Sequence, residues 1–200
     1  MNTATLQAAL AGRTVEAVAI GASAGGVAAL MQLLPGLPEN FRPAIIVVLH
    51  IPEGRQSQLA SVFQARLPLP VQEAADKQPV ASGTLYFAGS GYHLSVEEDR
   101  SFSLSTEEPH LFARPAIDFL MQSAADAYGD KLLGILLSGA NHDGAAGMAA
   151  IADAGGMTVV QDPAEAEVAT MPAEAIRVRT PDLVLPLSEI HQLLLMLERN

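Results

Sequence analysis

The sequence predicts a three-layer α/β/α fold with a mostly parallel sheet and a small antiparallel hairpin. Three observations carry this. Ala17–Ile20, Ala44–Leu49 and Leu132–Leu137 are apolar runs of strand length, as expected of strands buried on both faces. Segments of helical spacing alternate with such runs through almost the whole chain, the pattern of a parallel sheet covered on both sides. Half of the residues are hydrophobic but only 4% are aromatic, so the core is built from Ala, Val, Leu and Ile. Two hundred residues suit one α/β domain with a sizeable core, and residues 1–200 are expected to form a single unit.

The elements follow in order. Met1 to Thr14 is alanine-rich and reads as a short helix or a frayed lead-in. Val15 to Ile20 is the first strand, and Val27 to Leu34 is a helix ended by Pro35-Gly36. Pro43 opens a second strand, Ala44–Leu49, which ends at His50; Pro52-Glu53-Gly54 turns the chain. Gln58 to Leu67 has helical spacing at Leu59, Val62, Phe63 and Leu67. Val71 to Gly83 is mixed and takes no assignment. Thr84–Ala88 is a strand leading into Gly89-Ser90-Gly91. Leu94–Val96 and Phe102–Leu104 alternate with period two, predicting an antiparallel hairpin on one edge of the sheet. Pro115 suits the first turn of a helix to Tyr128, with Gly129 just past its end. After Leu132–Leu137 come a polar loop, Ser138–Gly144, and a small-residue helix, Ala145–Ala154, stopped by Gly155-Gly156. Thr158–Gln161 is a strand, Pro172–Ile176 a short helix and Leu183–Leu185 a short strand. Ser188 is positioned to cap a last helix, Glu189–Leu197, whose Leu193-Leu194-Leu195 stripe reads as core. No repeat, low-complexity tract or linker interrupts this.

Charge and composition exclude several functions. A formal net charge of −11 disfavours nucleic acid and anionic membranes as partners. The absence of cysteine removes disulfides, thiol catalysis and thiolate-held metals. Arg13 and Glu16 interrupt the only stretch placed like a signal peptide, and the longest apolar run, Pro43–Leu49, is too short to cross a bilayer. A cytoplasmic protein with no membrane insertion is expected.

In a parallel sheet, residues that follow different strands meet at one edge, the usual ligand site of open α/β folds. Ser23 follows the first strand in Gly21-Ala22-Ser23-Ala24-Gly25-Gly26, His50 the second, and Asp143 lies in the loop after Leu137. Gly21-x-Ser23-x-Gly25 has the spacing of a nucleophile elbow, and the helix behind it offers a positive dipole end to an oxyanion. The three residue types suit a nucleophile, its general base and the acid that orients the base. Each also has a plainer reading: Ser23 or Asp143 as a helix cap, His50 as a structural histidine. A dinucleotide site lacks both of its markers. Ser23 stands where G-x-G-x-x-G needs its middle glycine, and His50 where a ribose-binding acid belongs. The order Ser, His, Asp also differs from that of α/β-hydrolases.

His93 is a reserve base and Asp162 a reserve acid. Arg114 reads as a partner for a local acid before a substrate clamp, His142 as an exposed loop residue, and His110 and His191 carry no signal. No spacing of histidines or acids suggests a metal, and no cofactor is expected.

With these residues in place, the chain resembles the catalytic domain of chemotaxis receptor protein-glutamate methylesterases, the CheB family, from about Val15 to Pro186. The resemblance rests on Ile20–Gly26, His50–Gly54, Arg114–Asp118, Gly139–Met148 and Met171-Pro172 ahead of Ala175-Ile176. It implies a three-layer α/β fold and hydrolysis of glutamate γ-methyl esters on receptor helices with release of methanol, some members also deamidating glutamines. By motif position it makes Ser23 the nucleophile, His50 the base and Asp143 the orienting acid. Methylated chemoreceptor-like proteins are the implied partners, with a signalling kinase or regulator as a further candidate. Two motifs depart from the usual form. Ser23-Ala24-Gly25-Gly26 replaces Ser-Thr-Gly-Gly, and Gly139-Ala140-Asn141-His142-Asp143-Gly144 replaces Gly-Met-Gly-Asn-Asp-Gly. About fifteen residues precede the first strand, so a stand-alone form without a receiver domain is expected. Two other functions stay open from sequence: hydrolysis of a different carboxyl ester or amide, and receptor docking without turnover.

Overall fold

The computed structural model describes residues 3–50 and 58–197. Its strands are β1 (Ala17–Ala22), β2 (Ala44–Leu49), β3 (Val71–Glu73), β4 (Leu85–Phe87), β5 (His93–Val96), β6 (Phe102–Ser105), β7 (Leu132–Leu136), β8 (Met157–Gln161) and β9 (Leu183–Leu185). Seven of them form one sheet, ordered β3-β4-β2-β1-β7-β8-β9, in which every neighbouring pair is parallel. From β1 the chain builds outward through β2, then returns to the other side of β1 as β7 and builds outward again. The order therefore reverses between β1 and β7, and a crevice opens at the carboxyl ends of that pair.

The helices are α1 (Thr3–Leu10), α2 (Gly26–Leu33), α3 (Leu59–Gln64), α4 (Ile117–Tyr128), α5 (Ala145–Asp153), α6 (Thr170–Val178) and α7 (Leu187–Met196). Strand alternation splits the buried residues into two cores. Val18, Ile20, Ile45 and Val47 face Leu30, Phe63 and Leu193 of α2, α3 and α7. Ala17, Ala19, Ile46 and Val48 face Ile117, Leu120, Met148 and Ile151 of α4 and α5. The small residues of β1 on this second face let α4 come close. A Cβ on Gly21 would lie 2.4 Å from the Ile117 side chain, so glycine is what admits the start of α4 over the end of β1. None of the helices among the described residues is long and apolar enough to cross a membrane.

The predicted architecture stands, with differences in detail. The hairpin of β5 and β6 is antiparallel but forms its own two-stranded sheet instead of an edge of the large one. Leu94, Val96 and Phe102 turn inward to the core under α4, so the pair needs no main-sheet neighbour to bury its apolar face. β3 lies in the unassigned stretch. Its three residues are half-buried or exposed, and it exists because β4 supplies a parallel partner. β1 runs two residues past the predicted end, since Gly21 and Ala22 pair with β2. α3 stops at Gln64 and α4 starts at Ile117, after Pro115. α7 begins at Leu187 behind Pro186, so Ser188 is inside the helix and caps nothing; the Leu187 N–H goes to the Glu165 carboxylate at 2.9 Å. The Pro52-Glu53-Gly54 turn lies outside the described residues.

Burial ranks the cost of two truncations. Ile20, fully buried on the central strand, should cost about 2–5 kcal/mol when cut to alanine. Val184, 37% exposed on edge strand β9, should cost under about 1 kcal/mol. Urea unfolding midpoints of Ile20→Ala and Val184→Ala check the ranking.

Candidate functional site

Ser23 sits in the turn between β1 and α2, and the turn is tied to β7. Its N–H donates to the Ser138 carbonyl at 2.9 Å, and its own carbonyl accepts from Gly26 N–H at 2.8 Å. The cap position of α2 belongs to Gly25, at φ 76°, a conformation glycine adopts without a Cβ clash. Ser23 is therefore not the helix cap. The left-handed residue of the turn is Gly25, so the backbone differs from an elbow strained at its serine. Ser138, 1% exposed, secures the neighbourhood: its hydroxyl donates to Ala24 C=O at 2.7 Å and accepts Val168 N–H at 2.9 Å. The Gln161 side chain accepts its N–H at 2.8 Å.

His50 continues β2, its N–H bonding Ala22 C=O at 3.1 Å. Its imidazole Nε2 lies 2.8 Å from Asp143 Oδ2, which leaves Nδ1 as the ring nitrogen not engaged by the acid. Asp143 is wholly buried. It does not cap the helix that follows it in sequence; Gly144 takes that place. Instead its carboxylate accepts Ile117 N–H at 2.7 Å and Asp118 N–H at 2.9 Å, the first two donors of α4. Burial pushes the Asp143 pKa up. The His50 hydrogen bond, the two N–H donors and the imidazole charge together outweigh it and hold the pKa below the ordinary carboxylate value.

Asp118 returns the arrangement. From the first turn of α4 its Oδ1 accepts Gly144 N–H at 3.0 Å and Gly147 N–H at 2.7 Å, at the start of α5. Its Oδ2 faces His110 Nε2 at 3.2 Å. Each of two helices is thus capped by an acid carried by, or leading into, the other. Burial raises the Asp118 pKa; Gly147 N–H opposes the rise, the Asp143 charge adds to it, and His110 opposes it.

His110, Asp118 and Asp143 bring one donor atom each within 4.8 Å of one another, a cluster that sequence spacing did not suggest. Their chemistry does not fit a cation. Both carboxylates face backbone N–H groups at helix N-termini, whose partial positive charge repels a metal ion.

Ser23 and His50 line one cavity of about 670 Å³, together with Ala140, Asn141, Pro109 and residues 111–115. Asn141 Oδ1 accepts the Asp143 N–H at 3.2 Å, which ties this wall to the acid. The structure thus brings Ser23, His50 and Asp143 to one edge.

The reserve residues take other places. His93 is buried, accepts Ala116 N–H at Nδ1, bonds Glu108 C=O through Nε2 and stacks on Phe119 at 4.0 Å. With both nitrogens used it is structural. Asp162 accepts Ala164 N–H in a local turn. Arg114 lines the cavity and donates to the carbonyls of Thr106 and Glu107. His142 is exposed and His191 bonds Leu33 C=O, as a loop and a structural histidine do. Sequence reasoning missed Asp118, His110 and Ser138. Asp118 was within the quoted Arg114–Asp118 motif, and Ser138 directly follows the apolar run Leu132–Leu137, the rule that found Ser23.

The two acids bend the acid limb of stability in opposite senses. Asp143, with a lowered pKa, contributes stability that is full above its unfolded value and lost as pH falls through its folded value. Asp118, with a raised pKa, opposes folding when ionised, and its protonation on acidification favours the fold. On lowering the pH, the stability gap between wild type and Asp143→Asn should narrow, while wild type should gain on Asp118→Asn. Urea titrations over a series of acid pH values measure both gaps.

Comparison with known proteins identifies the family. The CheB methylesterase family model matches residues 18–194. A Leptospira interrogans protein, provisionally named protein-glutamate methylesterase/protein-glutamine glutaminase, is 42% identical over 185 residues, covering 92% of this chain and 96% of that protein. An Anaeromyxobacter dehalogenans protein-glutamate methylesterase/protein-glutamine glutaminase 2 is 41% identical over 92% of this chain, which spans 54% of that protein's length. The crystal structure of the Thermotoga maritima CheB methylesterase catalytic domain superposes with a TM-score of 0.86 at 33% identity, covering 92% of this chain and 99% of that one. The same fold, sequence similarity along nearly its whole length and a family match over most of the chain lead to one assignment: the chain belongs to the CheB methylesterase family.

Proposed function

We propose that this protein is a serine hydrolase that cleaves glutamate γ-methyl esters on methylated chemoreceptor-like proteins, releasing methanol. The observation that carries the proposal is the 2.8 Å hydrogen bond between His50 Nε2 and the accepting Asp143 carboxylate, with His50 lining the same cavity as Ser23. Relatives named for both methylesterase and glutaminase activity support the substrate class and extend it to side-chain amides.

In this reading Asp143 holds the imidazole with its Nε2 proton toward the acid, and Nδ1 accepts the Ser23 hydroxyl proton. Ser23 Oγ attacks the ester carbonyl to give a tetrahedral oxyanion. The N-terminal end of α2 and the backbone of the Ala140–Asn141 wall are the proposed stabilisers of that charge. The imidazolium returns its proton to the methoxy oxygen, the C–O bond breaks and methanol leaves. Water, deprotonated by the same imidazole, then hydrolyses the acyl-serine to free glutamate and restores Ser23. With a glutamine substrate the leaving group is ammonia.

The Ala140–Asn141 wall favours a second reading in the same class. Alanine and asparagine stand in the cavity where the family's motif usually has methionine and glycine, which supports a different carboxyl ester or amide as the preferred substrate. Family membership also supports a signalling kinase or regulator as a further partner. A cytoplasmic location is part of this reading.

Methanol release from a methylated receptor tests the leading reading, and a fluorophosphonate label on Ser23 separates a hydrolase from a docking module. Ser23→Ala and His50→Ala should each remove nearly all turnover with the fold kept. Asp143→Asn should lose about 10⁴-fold, by analogy with the serine-protease triad, because the imidazole is left in the wrong tautomer. Wild-type turnover in Ser23→Ala would overturn the site.

A further inference from the structure

The segment entering α4 contains a turn whose residues contradict its geometry. His110 and Ala113 exchange both backbone hydrogen bonds, His110 N–H to Ala113 C=O at 3.1 Å and Ala113 N–H to His110 C=O at 2.9 Å. Between them Leu111 has φ 47° and Phe112 φ 65°. A two-residue hairpin with both central residues left-handed is the turn that favours Asn-Gly, since side chains with a Cβ and no local hydrogen bond are strained there. Leucine and phenylalanine are poor choices for it, and this turn shows both: Phe112 is fully exposed and Leu111 is 42% exposed.

Lone exposed apolar residues are ordinary, but two of them held in strained backbone at a cavity mouth call for a reason. The surroundings fix the turn on both shoulders. His110 is held by Asp118, and Arg114 by the carbonyls of Thr106 and Glu107. Leu111 and Phe112 border the cavity of Ser23 and His50, and Leu111 also borders a neighbouring cavity of about 310 Å³ reaching Phe119, His142 and Val178. The turn is therefore an apolar ridge between two hollows, one of them lined by the serine.

We propose that the Leu111–Phe112 turn is a specificity element for the protein substrate. It packs against an apolar side chain of the substrate while the ester enters beside Ser23. Charge supports an uncharged neighbour: Glu107 and Glu108 are exposed just before the turn, in a chain of net charge −11, and disfavour acidic residues in the substrate at this position. The assignment rests on the reading of the protein as a hydrolase of side-chain esters on proteins.

The test replaces Leu111–Phe112 by Asn–Gly, the pair that the turn geometry favours. This variant should unfold at an equal or higher temperature than wild type, since strain is removed. Methanol release is measured on a methylated receptor fragment and on a small soluble glutamate γ-methyl ester. The KM for the receptor fragment should rise about tenfold or more, the loss of one buried aromatic contact, with kcat little changed. kcat/KM on the small ester should fall much less, and Phe112→Leu should keep most of the wild-type KM. An unchanged KM, an equal loss on both substrates, or a lower unfolding temperature of the Asn–Gly variant would overturn the assignment while leaving the hydrolase reading intact. Absence of methanol release by wild type on either substrate would overturn the hydrolase reading and this assignment with it.

Discussion

The structure depends on two buried carboxylates that cap each other's helices. Asp143 accepts the first two N–H groups of α4, and Asp118, from the first turn of α4, accepts N–H groups at the start of α5. A buried carboxylate is costly unless its charge is met, and a helix N-terminus meets it with unpaired donors and a positive dipole end. Each acid thus satisfies a set of orphan backbone donors; at Asp143 those donors and His50 outweigh the cost of burying the charge, whereas at Asp118 burial still outweighs them. The pairing also fixes the relative position of α4, α5 and the loop after β7. That loop brings Asp143 to His50, so one set of bonds holds the fold together and orients the imidazole.

Local capping is weak at these helices. Gly25, Ala116, Gly144 and Pro186 occupy the cap positions of α2, α4, α5 and α7, and none provides a side-chain cap. Distant acids take the role at α4, α5 and α7: Asp143, Asp118 and Glu165. The starts of these helices are therefore secured by tertiary contacts, and near the cavity those contacts are the candidate catalytic ones. Loss of an acid there acts on stability and on site geometry together, which is why the pH dependence of folding is informative about the site.

The sheet supplies the other half of the arrangement. The reversal of strand order between β1 and β7 leaves their carboxyl ends free to carry turns toward one crevice. Ser138 closes that crevice from below. It bonds the Ser23 turn, the Val168 segment and Gln161 of β8 at once. Ser23 is thereby held by an adjoining strand end as well as by its own helix.

The amino-acid sequence alone determined the class of fold and most of its strands, and it singled out Ser23, His50 and Asp143 as candidates. Apolar runs report burial on both faces, and in a parallel sheet the end of each such run has a known edge. Strand order, the separate packing of the hairpin and the existence of β3 came only with the tertiary structure, because each depends on which backbone lies alongside, and periodicity carries no partner information. The same limit explains the missed Asp118, Ser138 and Glu165: their roles are hydrogen bonds to residues 22 or more positions away. It also explains why Asp143, placed in sequence like a cap for α5, caps α4. The Leu111–Phe112 turn shows the limit most sharply. Its residues argue against a left-handed hairpin, and only the anchoring of His110 and Arg114 by the surrounding fold holds the backbone there.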